Sequence, residues 1–400
     1  MQAAADIVIA GGAVIGSSVA YHLASDPAFT GQVVVVEKDP TYQFSSSALS
    51  AASIRQQYSS AVNIRISLFG IRFLREIGER LAVGDDRPAI DLHEGGYLYL
   101  GSPGEGAQVL RENNALQTAE GADIAILDKA ALAARFPFLS LDGIELGSYG
   151  VSGEGWFDGW GLMQALRKKA RSLGVTYMQG EVVDVEREGG RVTAVRLADG
   201  QRIACGALVN AAGASGARVL AEKAGVAIPV YPHKRCVFTF HCKGDVARAP
   251  LLIDVSGAWC RPEGRPGAEG QMFLCGGGPM RDETEDTADF EVEWNLFEEH
   301  YWPTLAERIP AFEQIRPGRA WAGHYDMNRL DHNGIVGQAG ECSNFYVATG
   351  FSGHGLQQAP AVGRGIAELI VHGGYKTLDL SDLGFERIAA NRPLLERNVI

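Results

Sequence analysis

The residues best suited to chemistry open the chain. "AGGAVIG", residues 10–16, places Gly11, Gly12, Ala13 and Gly16 between an apolar run at 6–10 and an apolar stretch at 15–25. Glycines at this spacing let loop amides and a helix N-terminus, worth about half a positive charge, face a pyrophosphate. The dinucleotide fingerprint G-x-G-x-x-G wants glycine where Ala13 stands. One extra methyl asks only for a slight displacement of the phosphates, so Ala13 is compatible with binding. Glu37 follows Gly16 by 21 residues, close to the roughly 20 expected of the acid that takes the ribose hydroxyls. Such an acid disfavours a 2′-phosphate and fits the adenosine of either NAD or FAD.

Three segments read as a buried strand, a small-residue turn and a helix. They are the opening one, with its second strand at 32–39, then "ALVNAAGASGARVLAEKAG" (207–225) and "NFYVATGFSGHGLQQAPAVGRGIAELIVHGG" (344–374). Between them the periodicity predicts helices over 60–82, 105–121 and 129–137. A further helix is expected from an Asp158 N-cap to a Gly174 C-cap. "GEVVDVERE" and "RVTAVRLADG" read as strands joined at Gly189-Gly190, and "VFTFHCK", "LLIDV" and "QMFLCGG" as three more. Residues 290–310 read as helical up to Pro310, with a break near Pro303. Matching pieces at both ends and the middle imply an α/β fold whose nucleotide-binding domain is discontinuous, interrupted twice by a mixed-sheet substrate domain.

The 400 residues suffice for two or three lobes, and 46% hydrophobic with 21% charged is a globular mixture. Fifty glycines point to many close backbone approaches. Acids outnumber bases 48 to 36, a net charge of −12, which argues against broad nucleic-acid or anionic-membrane binding. No run is long enough for a transmembrane segment, and the first strand starts so near Met1 that a cytoplasmic protein without a leader is expected. The six cysteines form no CxxC pair or metal spacing, so no metal site is expected.

The chain resembles the D-amino acid oxidase and sarcosine oxidase family of FAD-dependent oxidoreductases. The resemblance is carried by "AGGAVIGSSVAYHLA", "SSSALSAASIRQQYS", "GEGWFDGWGL", "LVNAAGASG", "PVYPHKR", "WAGHYD" and "ATGFSGHGLQQAP", and runs over essentially the whole length. Within the family, "GEGWFDGW", "SAASIRQQYS" and "GFSGHGLQQAP" are most similar to a mitochondrial branch of FAD-dependent oxidoreductase domain-containing proteins that assists respiratory complex I assembly. The resemblance implies an FAD-binding Rossmann-like domain over 1–85, 146–228 and 318–375, a mixed-sheet α+β substrate domain over 86–145 and 229–317, and a C-terminal tail, 376–400.

It also implies FAD held by Gly11, Ala13, Val14, Ile15, Gly16, Glu37 and Lys38, with Ser47, Ser50, Ala51 and Ala52 wrapping around the pyrophosphate and ring. Val182 would lie near the adenine and Gly213 beside the cofactor. Gly353, His354, Gly355, Leu356 and Gln357 would border the flavin's pyrimidine edge, where helix-terminal amides can stabilise negative charge. Gly323 stands where sarcosine oxidases carry a flavin-linking cysteine, so non-covalent FAD is expected.

Family enzymes oxidise an amino-acid C–N bond by passing hydride from the α-carbon to the flavin. A carboxylate on the substrate needs a cation, and the planar fork of arginine suits it. Arg55 occupies the position where sarcosine oxidase-like proteins hold that carboxylate. Gln357 replaces a second carboxylate-binding lysine, so the grip is weaker or differently shaped. Tyr325 is a candidate hydrogen-bond partner of the substrate, with His324 and Asp326 as candidates for orienting it. Of the cluster His233, Lys234 and Arg235, Lys234 or Arg235 could touch a second acidic group of the substrate. "MFLCGG" offers no oxygen-activating lysine, which leaves O₂, a quinone or an electron-transfer flavoprotein as acceptor. The expected activity is oxidation of a small carboxylate-bearing amine, of the N-alkyl or D-amino acid class. Two alternatives stand beside it: a flavin-stabilised, non-catalytic assembly scaffold for a respiratory complex, and an NAD-linked dehydrogenase.

Overall fold

A computed structural model describes residues 3–246, 248–278 and 286–397. Two eight-stranded sheets organise them. In the first, Ala3–Ala10 lies between Arg202–Asn210 and Val33–Glu37, parallel to both. Thr176–Gln179 extends it beyond Val33–Glu37, and Phe345–Thr349 beyond Arg202–Asn210. Ile7, Val8 and Ile9 are at most 5% exposed, as a strand covered on both faces requires. The segments 182–188 and 191–197 form the expected hairpin, paired onto Arg202–Asn210.

Helix Val14–Ser25 packs against Gly355–His372 from the far end of the chain. Gly363 makes the crossing close, since a Cβ there would lie 2.2 Å from the Ser18 hydroxyl. That hydroxyl donates to the Ala359 carbonyl at 2.7 Å. Asp158 caps helix Gly159–Ser172 by accepting from the Gly161 amide at 2.9 Å, and Gly174 follows its end at φ 97°, the left-handed stop that glycine allows.

The second sheet runs in the order 315–328, 230–242, 270–276, 259–267, 251–253, 97–101, 146–150, 124–128. Phe238, Phe240, Phe273, Phe297 and Phe312 fill its core. Strands 146–150 and 315–328 both belong to this sheet, which therefore reaches past the expected segment bounds at 145 and 317. The region 290–310 also differs from expectation. It is helical only from Trp294, passes through a wide turn at Phe297–Tyr301 and restarts at Trp302 with Pro303 in the first turn, where a missing N–H costs nothing. Two strands carrying proline, Trp259–Gly267 and Ile315–Asn328, were not anticipated. Among the described residues no helix is long and apolar enough to cross a membrane.

Candidate active site

The opening turn is built by exclusion. A Cβ on Gly16 would sit 1.8 Å from the Gly11 carbonyl oxygen, and one on Gly11 (φ 96°) 2.3 Å from that of Ala211. The strand can thus meet the helix at this angle only with glycine at both places. Gly12 donates its amide to Glu37 Oε2 at 2.8 Å, while Glu37 Oε1 accepts from Asp39 at 2.9 Å. The acid at the end of the second strand is thereby locked beside the loop. Val14 donates its amide to the Ser47 hydroxyl at 3.3 Å.

Along this turn runs a cavity of about 730 Å³. Gly11, Ala13, Val14 and Ile15 line its floor, Glu37, Lys38 and Val182 one end, and Ser47 and Ser50 a side. Gly213, Gly353, Gly355 and Leu356 complete it. Gly16 is not in the wall; it shapes the turn behind it. A long trough over helix-terminal amides, with an acid at one end, fits a dinucleotide, and Ala13 stands in the wall without closing it.

A second, smaller cavity of about 70 Å³ adjoins the first and shares Ser50, Tyr325, Gly353 and Leu356 with it. Ala51, Ala52, Arg55, His354 and Gln357 line it, together with Tyr97 and Trp259. Ala52 (φ 49°) and Ser352 (φ 52°), both in this wall, hold left-handed backbone without being glycine. Such strain persists only where surroundings over-determine it, and it clusters at functional sites.

Arg55 is 1% exposed. It donates Nη1 to the Gln57 carbonyl at 2.6 Å and Nη2 to His354 Nε2 at 3.0 Å, with its carbon 4.1 Å above the Tyr58 ring. Arginine cannot accept, so His354 Nε2 is the acceptor and its ring is neutral. Burial and the adjacent Arg55 charge indeed hold the His354 pKa well below its ordinary value. Gln357 spends its amide on the protein: Oε1 accepts from the Arg55 backbone at 2.9 Å and Nε2 donates to the Tyr58 hydroxyl at 2.6 Å. Tyr325 lies flat on Gly353, where a Cβ would come within 2.6 Å of its ring, and Arg235 covers it at 5.3 Å. Burial raises its pKa, so the phenol is neutral.

The other candidates lie outside the small cavity, His324 and Asp326 in the wall of the large one. Lys234 bonds Asp289 at 2.6 Å and Glu293 at 2.9 Å and lines neither cavity. Alternation along the strand turns it away from Arg235, which borders a small recess beside Tyr325. His324 lines the large cavity, packs edge-on to Phe290 at 4.8 Å and has its pKa lowered by burial. Asp326 accepts from the Gly350 amide at 2.7 Å and so anchors the 349–353 turn; burial raises its pKa to about 6.

Sequence reasoning missed Tyr97, Trp259 and above all Glu154. Fully buried, Glu154 accepts from the Gln57 amide nitrogen Nε2 at 2.7 Å and from the Gln56 backbone at 2.5 Å. A charged residue between Gly153 and Gly155 in an apolar setting was the available signal.

Residues 6–369 match the FAD dependent oxidoreductase family. FAD-dependent oxidoreductase domain-containing protein 1 of Xenopus laevis is 43% identical, with 99% of this chain and 85% of the relative covered. Dimethylglycine dehydrogenase of Rattus norvegicus is 25% identical over 92% of this chain and 43% of its own. L-proline dehydrogenase from P. horikoshii superposes with a TM-score of 0.83 at 24% identity, covering 98% and 100% of the two chains. The chain belongs to the FAD-dependent oxidoreductases, with FAD as its cofactor, and the trough beside Glu37 fits that dinucleotide.

Proposed function

We propose that the chain oxidises the C–N bond of a small amine bearing a carboxylate, of the N-alkyl or D-amino acid class. The observation that carries this reading is Arg55, a buried guanidinium in the wall of a pocket that opens onto the cofactor trough. When bound, the flavin would supply the acceptor for the hydride, with its two electrons, that leaves the carbon beside nitrogen. The protein's share is placement. Arg55 offers a planar fork of N–H donors to a carboxylate. The neutral His354 ring and the Gln57 carbonyl hold that fork, so little orientational freedom is lost on binding. Tyr97, Trp259 and Tyr325 wall the pocket with aromatic surface. The Arg55 cation already present there favours the uncharged amine over its ammonium form.

FAD is held without a covalent bond in this reading, since Gly323 offers no nucleophile. An open pocket beside the trough supports turnover over a flavin-stabilised scaffold, which would need no such space. Anaerobic mixing with a broad panel of N-methyl and D-amino acids tests the proposal. At least one should bleach the flavin absorbance, and Arg55→Ala should raise its apparent KM by about tenfold or more, the value of an ion-assisted contact. A panel that leaves the flavin oxidised throughout sinks it. Oxygen uptake then separates O₂ from a quinone or electron-transfer flavoprotein as acceptor.

A further inference from the structure

We propose that Glu154 is the positioning residue for Arg55: from a separate segment of the chain, its carboxylate fixes the turn that aims the guanidinium into the substrate pocket. The inference rests on the reading of Arg55 as a carboxylate anchor.

Glu154 stands 97 residues from Gln57, between strands 146–150 and 155–156, and is 0% exposed. One oxygen accepts from the Gln56 backbone at 2.5 Å and the Gln57 backbone at 3.2 Å; the other accepts from Gln57 Nε2 at 2.7 Å. Gln57 in turn gives its carbonyl to Arg55 Nη1 at 2.6 Å. The path from carboxylate to guanidinium is thus two hydrogen bonds long, through one residue. One neighbour is cut to admit it: a Cβ on Gly150 would lie 1.9 Å from Glu154 Oε2.

A buried carboxylate is costly unless it is paired and hydrogen-bonded. An amide oxygen could take the two backbone N–H groups, but its nitrogen would face the Gln57 Nε2 donor, whereas a carboxylate accepts at both positions. What a carboxylate adds is attraction for the cation across Gln57, and stronger, shorter bonds that leave the turn one geometry. A guanidinium moved by about 1 Å would lose much of its bidentate match to a substrate carboxylate. Glu154 itself lines neither cavity, so it acts through Arg55 and not on the substrate.

The holoenzyme at about pH 8.5, where the Glu154 carboxyl is ionised, provides the test, with benzoate as a charged probe and benzamide as its neutral counterpart, binding being read from flavin absorbance. Glu154→Gln should weaken benzoate by about tenfold and benzamide by less than about twofold, and in an Arg55→Gln background should have no further effect on benzoate. Should Glu154→Gln fail to hold FAD, Glu154→Asp, which keeps the charge but withdraws it by one methylene, is read by the same criteria. Equal loss for both probes, unchanged benzoate affinity, or the same loss in the Arg55→Gln background would overturn the positioning role while leaving Arg55 as anchor. A wild-type protein that bound benzamide as well as benzoate would remove the anchor, and the positioning role with it.

Discussion

Gly16→Ala isolates the reason the opening turn tolerates alanine at position 13 but not three places on, at position 16. At Gly16 the new methyl would lie 1.8 Å from the Gly11 carbonyl oxygen and 3.2 Å from Ile9 Cγ2, where ordinary contact begins at 3.4 Å. The shortfall is about 1.6 Å against backbone, which has no rotamer to yield. Overpacking of this kind costs about 1–3 kcal/mol, and a backbone obstacle belongs at the upper end. At roughly 2.1 cal/mol/K of unfolding entropy per residue over 400 residues, about 3 kcal/mol lowers Tm by about 4 °C. The larger effect is on the cofactor. Helix Val14–Ser25 must back away from the turn, carrying with it the amides of Val14 and Ile15 that line the trough. Gel-filtered protein should therefore keep less than about a tenth of the wild-type flavin, by its absorbance ratio. Gly174→Ala is the control: its φ of 97° makes alanine strained, yet nothing lies within 4 Å and it is far from the trough. It should cost about 1–2 kcal/mol with full flavin content. Ala13→Gly should also stay yellow. A Gly16→Ala protein that purifies with stoichiometric flavin and an unshifted Tm would refute the steric account.

The remaining expectations concern charge. Burial raises the Glu154 pKa to about 7, against hydrogen bonds from Gln57 and Gln56 and the Arg55 charge, which lower it. The folded protein then holds more protons than the unfolded chain between about pH 4.5 and 7, so stability from this group is present in acid and lost as pH rises through about 7. Wild type should gain on Glu154→Gln by up to about 3 kcal/mol in urea unfolding when both are taken from pH 8 to pH 4.5, and parallel curves would show that the carboxyl is not so perturbed. Lys234→Met removes a cation bound to Asp289 and Glu293, so it should lower Tm while leaving the KM for a reducing amine within about twofold; a tenfold rise would place Lys234 at the substrate after all.

How much of this was legible depended on the range of the signal. The three strand–glycine–helix units announce themselves because glycine punctuation and apolar periodicity are local, and Asp158 caps its helix three residues away. Strand Trp259–Gly267 hid behind Pro262, which normally argues against a strand. Its neighbour 251–253 pairs only with Trp259 and Cys260, so the missing N–H at 262 faces no partner on that side. Ile315–Asn328 tolerates Pro317 because it is an edge strand. Arg55 could be given a role from its motif, whereas Glu154, though visible between Gly153 and Gly155, could not, because its partners lie 97 and 98 residues away and are mostly backbone. The sequence offers Lys234 and Arg235 as equal alternatives; strand alternation sends them to opposite faces, and Lys234 lines neither cavity.

A physical reason also explains why the site's supports leave so faint a trace in the sequence. The segment 46–57 walls both cavities and carries Arg55, so its position fixes cofactor and substrate together. It is pinned largely through main-chain atoms. Trp321 donates to the Leu49 carbonyl at 2.8 Å, Arg261 to that of Ala51 at 2.7 Å, and the Phe157 amide to that of Ala52 at 3.1 Å. Ser46 donates to the His324 carbonyl at 2.6 Å, and Glu154 takes the Gln56 and Gln57 amides. Trp321, Arg261 and His324 belong to the second sheet, while the glycine turn that floors the coenzyme trough belongs to the first. Seating one loop on the other sheet's side chains keeps the guanidinium in register with the trough without a rigid linker between the layers. A backbone carbonyl accepts from any suitable donor, so the supporting side chains are constrained by reach and not by type. The glycines that shape the turn and Arg55 in the pocket wall must keep their identity, and those are the ones a motif can show.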